Sequence, residues 1–218
     1  MARLHHTTAD AAQCLRRGGV LIFPTETFYA LGCLASNAAA VARVYRLKRR
    51  SPAQPLPLLA ADRRQAAQAA RLESAPQALL ERFWPGPLSV LLPARSSLPP
   101  SLVNDKGRTA VRISPHRQAA ELAHLAGGIL TASSANLHGR RPVCRFQDMD
   151  EELIRELDIH GAETGLFEGD TPPAGGLPST LVEPLALTER AKTCLRLVRA
   201  GAVSAEELEA AGFCVQFA

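Results

Sequence analysis

Residues 19–32 read GVLIFPTETFYALG. The apolar run from Val20 to Phe23 predicts a short buried strand. Pro24 ends it, because proline has no N–H to give to a central ladder. Thr25, Glu26 and Thr27 follow at once, and apolar side chains then resume up to Gly32. Open α/β sheets bind ligands just past the carboxyl ends of their strands, so these polar groups stand where a site is expected. Capping of the strand end by the threonine hydroxyls explains the same residues equally well. The choice between the two rests on the rest of the chain.

Around this stretch the pattern is that of an α/β protein. Residues 10–17 read as a helix closed by Gly18 and Gly19. Asn37 is placed to cap a helix running from Ala38 to about Arg49. Strands are predicted over 55–61, 88–92, 110–113, 181–182 and 195–198, the last taken as the final strand. Helices are predicted over 62–71, 75–83, 118–126 and 151–157, and Ser204 caps a last one through Ala211. Trp84-Pro-Gly-Pro87 reads as a rigid turn and 168–180 as a Gly/Pro-rich loop. The expected fold is a twisted, open, mixed sheet flanked by helices, in one domain over 1–218 with its core at about 8–203.

Bulk composition excludes several classes. The chain has 218 residues, 46% hydrophobic and 21% charged, an ordinary globular balance. Only 5% is aromatic, so the core has to rest on Leu, Val, Ile and Ala. The net charge of +4 suits a protein that meets phosphate or nucleic acid, without demanding it. Five scattered cysteines form no C-x-x-C pair, so reduced, mostly buried thiols are expected rather than a disulfide framework or a zinc site. His5 and His6 are expected to be solvated. No secretory leader or membrane-length apolar run is seen, and a cytoplasmic location with no membrane partner is the default. The P-loop, the G-x-G-x-x-G fingerprint and the G-x-S-x-G elbow are all missing, which argues against a conventional nucleotide loop or a serine hydrolase.

What remains is a set of polar clusters at element ends. Lys48, Arg49 and Arg50 close a helix, where cations favour the macrodipole; they equally form a phosphate clamp, a point charge beside a planar fork. Ser133-Ser-Ala-Asn136 follows a strand-like run, and its small side chains let a ligand approach the backbone, as an ordinary Asx or Ser turn also would. Arg112 sits between Val111 and Ile113 and calls for a carboxylate or phosphate partner, a structural ion pair being as good an account. Ser179 and Thr180 leave the loop that holds Gly175 and Gly176, whose freedom suits a closing segment or a plain surface loop. Arg199, alone, reads as a solvated charge.

Taken in order, PTET at 24–27, K-x-R at 48–50 with Pro55-Leu56, WPGPLSVLL at 84–92, AVRI at 110–113, SSAN at 133–136, PSTLVE at 178–183 and RAG at 199–201 resemble the YrdC/Sua5/TsaC family. The resemblance covers about residues 8 to 203. It implies a YrdC-like fold with a deep, positively charged cavity, and a nucleotidyltransferase that makes threonylcarbamoyl-AMP and pyrophosphate from L-threonine, bicarbonate and ATP. The product would feed N6-threonylcarbamoylation of adenosine 37 in tRNA, so the tRNA-modification machinery is an implied partner. The length resembles the short bacterial form. By the same resemblance Thr27, Arg112 and Ser179 would contact L-threonine, and Lys48, Arg50, Gln54, Ser134, Asn136 and Arg199 would bind ATP. Mg²⁺ would arrive with the ATP, with no protein metal site and no covalent nucleophile. Alanine at Lys48 or Arg50 is expected to abolish turnover and leave the fold intact.

Four positions depart from the family pattern. Ser51 stands where proline is usual, Gln54 where asparagine is common, Leu59 where longer members carry a histidine, and Glu183 where aspartate is commoner. Leu59 raises the expectation of an altered threonine-pocket wall. Two alternatives to the synthase are a YciO-like paralog acting on another carbamoylation substrate and a module of the same fold that binds double-stranded RNA or tRNA. The chain offers no aromatic stacking set in support of the latter.

Overall fold

The computed structural model describes residues 3–137, 139–161, 164–185 and 193–217. β1 (Arg3–His5), α1 (Thr8–Arg16) and β2 (Val20–Phe23) open the chain, and β3 (Ala30–Gly32) returns beside β2. After α2 (Ala38–Lys48) come β4 (Leu58–Ala60), α3 (Arg63–Ala69) and α4 (Gln77–Phe83). β5 (Leu88–Pro93), β6 (Arg108–Ile113), α5 (Arg117–Ala126), β7 (Leu130–Thr131) and β8 (Ser133–Ser134) follow. α6 (Glu151–His160), β9 (Thr164–Phe167), β10 (Thr180–Pro184), β11 (Cys194–Arg199), α7 (Ala205–Ala210) and β12 (Cys214–Phe217) complete it.

The fold is of the expected class, mixed sheet flanked by helices, with the strands divided between two mixed sheets. One has the order β1-β9-β2-β3-β8 and the other β12-β11-β10-β5-β6-β4-β7. β2 is central in the first, parallel to β9 and antiparallel to β3. Its unbroken apolar run follows from this position. Side chains alternate faces along a strand, so Val20 and Ile22 enter one core cluster while Leu21 and Phe23 enter the other. The second cluster lies under α1 and α5, whose alanines (Ala11, Ala12, Ala119, Ala123) let the helices approach the sheet closely. Leu59 is fully buried in that cluster and does not line the cavity described below, so the expected change in a pocket wall does not arise from it.

The sheets meet at a seam beside β3. The chain leaves the larger sheet after Thr131 and enters the smaller one at Ser133. Thr131 N–H donates to Cys33 O at 2.8 Å, and Cys33 N–H donates to the Thr131 hydroxyl at 3.0 Å. Ala132 N–H donates to Pro57 O at 2.8 Å. Gly32 is required here, because a Cβ on it would lie 1.7 Å from Thr131 O.

Helix starts follow their caps: Thr7 accepts from Asp10 N–H, Asn37 from Ala40 N–H, and Ser204 forms a reciprocal capping box with Glu207. α1 therefore begins at Thr8, two residues earlier than the sequence suggests. Strand 55–61 shrinks to Leu58–Ala60, since Pro55 and Pro57 delay its start. β12 follows β11, so 195–198 is not the last strand. Cys14, Cys33 and Cys194 are buried, Cys144 and Cys214 half-buried, and none of the five is in a disulfide.

His5 is buried, contrary to expectation. Its ring lies on β1 against Gly165, whose added Cβ would be 2.6 Å from Nε2, and neither ring nitrogen finds a partner among the described residues. Burial, then Arg3, holds the imidazole below its usual 6.5. The unfolded chain thus takes up this proton at higher pH than the folded chain, and stability falls as pH drops through 6.5. In urea titrations between pH 7.5 and 5, His5→Phe is expected to flatten that slope; an unchanged slope would place the acid sensitivity elsewhere.

Candidate functional site

A cavity of about 160 Å³ opens beside the seam, between the turn after β2, β8, the start of β5, β6, the start of β10 and the end of β11. Of the nine candidate residues, Thr27, Arg50, Arg112, Ser134, Ser179 and Arg199 line it. They come from segments spread over more than 170 residues of chain, from 27 to 199. Lys48, Gln54 and Asn136 do not line it.

The turn after β2 is built locally. Thr25 donates its hydroxyl to Phe28 O at 2.6 Å, so its side chain ties the turn while it also lines the cavity. Thr27 O accepts the Gly175 N–H at 2.8 Å, which draws the 168–179 loop across the turn. That loop is held at one end by Gln118, which donates to Asp170 Oδ2 and accepts from the Asp170 N–H, and by His116, whose Nε2 lies 3.0 Å from Thr171 O. At its other end Gly201 packs beneath it: a Cβ there would lie 2.2 Å from Pro178 O and 2.6 Å from Thr180 N. This contact gives the RAG segment its glycine.

Three guanidiniums reach the cavity and their circumstances differ. Arg112 Nε donates to Glu26 Oε1 at 2.8 Å, with the Arg112 side chain buried and that of Glu26 9% exposed. Arg199 donates to Ser179, at 2.6 Å to its carbonyl and 3.0 Å to its hydroxyl, and that hydroxyl lies 3.2 Å from the Ser89 hydroxyl. Arg50 donates to Gln54 O at 3.0 Å and Pro55 O at 3.4 Å. Among the described residues neither Arg50 nor Arg199 has a carboxylate partner. Burial pushes both below the ordinary arginine value, with Arg112 and Arg50 adding to the effect at Arg199. Two under-compensated cations at one cavity make it a place for an anion.

The three residues outside the cavity stand elsewhere than expected. Lys48 is 2% exposed, and its ammonium donates to the carbonyls of Ser134 and Asn136, the latter at 2.6 Å. It stands behind the wall and fixes the SSAN backbone rather than facing a triphosphate. Burial, then Arg50, lowers its pKa to about 7. Asn136 spends its Nδ2 on Leu137 O and Arg140 O at 2.8 and 2.7 Å. Gln54 is exposed and contributes its carbonyl, to Arg50. The sequence reading missed Ser89 and the role of Glu26. A lone serine inside LSVLL was the available signal for the first; for the second, Arg112 called for a carboxylate, but nothing local pointed to Glu26, 86 residues away.

The chemistry such an arrangement can do is positional. Guanidinium forks and hydroxyls hold an anionic substrate, and no nucleophile–base pair stands among the named cavity residues. Nor do the described residues group three His, Cys, Asp or Glu side chains for a metal ion. Glu26 has both oxygens engaged, by Arg112 Nε and by Ser114 Oγ at 2.6 Å.

An α/β fold of two mixed sheets, with three arginines converging on a cavity beside their seam, is the class that fold and site define. Within it the chain belongs to the Sua5/YciO/YrdC family, whose model, described as "Telomere recombination", matches residues 13–200. It is 40% identical over 170 residues to a threonylcarbamoyl-AMP synthase of Stenotrophomonas maltophilia, covering 76% of this chain and 91% of that one. A threonylcarbamoyl-AMP synthase of Halorhodospira halophila is 40% identical over 176 residues, 80% and 90% of the two chains. The fold resembles P. abyssi Sua5 complexed with L-threonine at a TM-score of 0.80 and 27% identity, covering 99% of this chain. The chain spans 62% of the length of that protein. E. coli YciO shares the fold at a TM-score of 0.72 and 21% identity, over 93% of this chain and 97% of that one. Among the described residues no helix is long and apolar enough to cross a membrane.

Proposed function

We propose that this protein is a threonylcarbamoyl-AMP synthase acting on L-threonine, bicarbonate and ATP. The observation that carries the reading is the meeting of Thr27, Arg50, Arg112, Ser134, Ser179 and Arg199 at one cavity. The two relatives at 40% identity bear the synthase name, and a structural neighbour was solved with L-threonine.

The threonine amine and bicarbonate condense to a carbamate with loss of water. A carbamate oxygen then attacks the α-phosphorus of ATP, the new P–O bond forms, and the bond to pyrophosphate breaks. Charge builds on the phosphoryl oxygens and the leaving group. Arg50 and Arg199, short of carboxylate partners, are suited to hold that charge, and Arg112 with Thr27 to orient the amino acid. Mg²⁺ would enter with the nucleotide, and the product would pass to tRNA modification.

The test is pyrophosphate release from ATP. Release is expected to require both L-threonine and bicarbonate, and Arg199→Ala should lower it about 100-fold or more, the loss typical of one fixed electrostatic donor. Release indifferent to threonine would remove this reading and leave the YciO-like one.

A further inference from the structure

We propose that Glu26 is a positioning residue for the amino-acid end of the site: it fixes Arg112 from behind, so that the guanidinium presents its terminal nitrogens to a carboxylate. The inference rests on the proposed function and deepens it.

The geometry is specific. Glu26 is the residue after Thr25 in the turn that follows β2, and its side chain is 9% exposed. Oε1 accepts from Arg112 Nε at 2.8 Å, and Oε2 accepts from Ser114 Oγ at 2.6 Å. Both oxygens are thereby committed to residues at the end of β6. A carboxylate that grips arginine fork to fork uses up the terminal nitrogens. Here it takes Nε, and Arg112, though 4% exposed, still lines the cavity. A second, planar, singly charged carboxylate can then meet the remaining N–H groups.

The ion pair also divides the cavity by charge. Glu26 neutralises Arg112, whereas Arg50 and Arg199 find only carbonyl and hydroxyl acceptors among the described residues. A polyphosphate is drawn to the uncompensated pair. A compensated, rigid Arg112 instead offers direction rather than charge, which suits a small zwitterionic substrate. Removing Glu26 would free the guanidinium to turn and add a third cation to the phosphate end.

Glu26→Gln keeps the shape, an acceptor for Arg112 Nε and a group for Ser114. The expected result is a rise in the L-threonine KM and calorimetric Kd of about tenfold, the scale of one charge-assisted hydrogen bond, with the KM for ATP unchanged or lower. In an Arg112→Ala background the same substitution should leave threonine affinity unchanged, as a double-mutant cycle requires for a group that acts through Arg112. Glu26→Asp, which keeps the charge, should recover part of the affinity and serves if the glutamine variant does not fold. Equal threonine affinity in wild type and Glu26→Gln, or equal losses for threonine and ATP, would overturn the inference. A wild type that binds no threonine would instead overturn the proposed function, and this inference with it.

Discussion

Lys48→Met is expected to lower stability by about 2–4 kcal/mol, because it strips the donor from two carbonyls, at about 1–3 kcal/mol for each buried unsatisfied group less the relief of the amine's own burial. Methionine matches the length and apolar stem of lysine, so little cavity is created and the loss isolates the hydrogen bonds. The carbonyls belong to Ser134 and Asn136, and activity should fall together with the fold, since Ser134 lines the cavity. The effect should also depend on pH. Lys48 titrates near 7 in the folded chain against 10.5 as its ordinary value. Between these values the unfolded chain holds the extra proton, so wild-type stability rises with pH across that window. A neutral amine still carries two N–H groups, one for each carbonyl. The gap between wild type and Lys48→Met should therefore be wider at pH 9.5 than at pH 7.5 in urea titrations, and a constant gap would show that Lys48 does not titrate there. Arg50→Ala should behave differently, holding its midpoint to within about 1 kcal/mol, as substitutions of partly exposed side chains do, while losing turnover. The two cations of the K-x-R segment, paired in the sequence reading, part company in the structure.

That separation shows where sequence stops being informative. Three consecutive cations at a helix end support both a clamp and a cap, and the three side chains go three different ways. Arg50 faces the cavity, and Arg49 takes the left-handed conformation at the end of α2 with its guanidinium on Glu152 and Glu156. Lys48 does neither, and only the return of the chain at 134–136 reveals why. The strand at 20–23, the Asn37 cap and the small polar run at 133–136 were readable because each has a local cause: period, capping chemistry, side-chain size. The Glu26–Arg112 pair was not, since its members lie on different elements 86 residues apart.

Short strands failed for a related reason. β9 contains Gly165, which weakens strand propensity in isolation, yet the bare backbone is what admits the His5 ring from β1. β1 has three residues, two of them charged or titratable, and it exists because β9 offers it a parallel partner. The same dependence hid the second sheet. Nothing local in TASSAN announces that Thr131 pairs with β4 while Ser133 pairs with β3. The candidate residues nevertheless reached one cavity, because most of them sit at element ends along that junction.

The junction itself gives the largest expected effect. Gly32→Ala is expected to cost about 4 kcal/mol or more, beyond the 1–3 kcal/mol of ordinary overpacking. A Cβ at 32 would sit 1.7 Å from Thr131 O and 2.8 Å from its carbonyl carbon, and a backbone atom cannot rotate away as a side chain can. Relief requires moving β3 off β7, which breaks the bonds between Cys33 and Thr131 and shifts the Ser133–Ser134 strand that follows. Stability and ligand binding should therefore be lost together. Gly128→Ala is the control. Its Cβ would meet only Leu34 Cδ2, at 3.2 Å, a terminal methyl that can give way, and no positive φ is imposed there. Restricting the unfolded chain then contributes about 0.4–1 kcal/mol in the opposite direction, so the same chemical change should leave stability level or raised. Urea midpoints for the two variants read the contrast directly. If Gly32→Ala matched Gly128→Ala, the two sheets would not be locked through the Gly32–Thr131 contact, and the cavity would owe its shape to the loops alone.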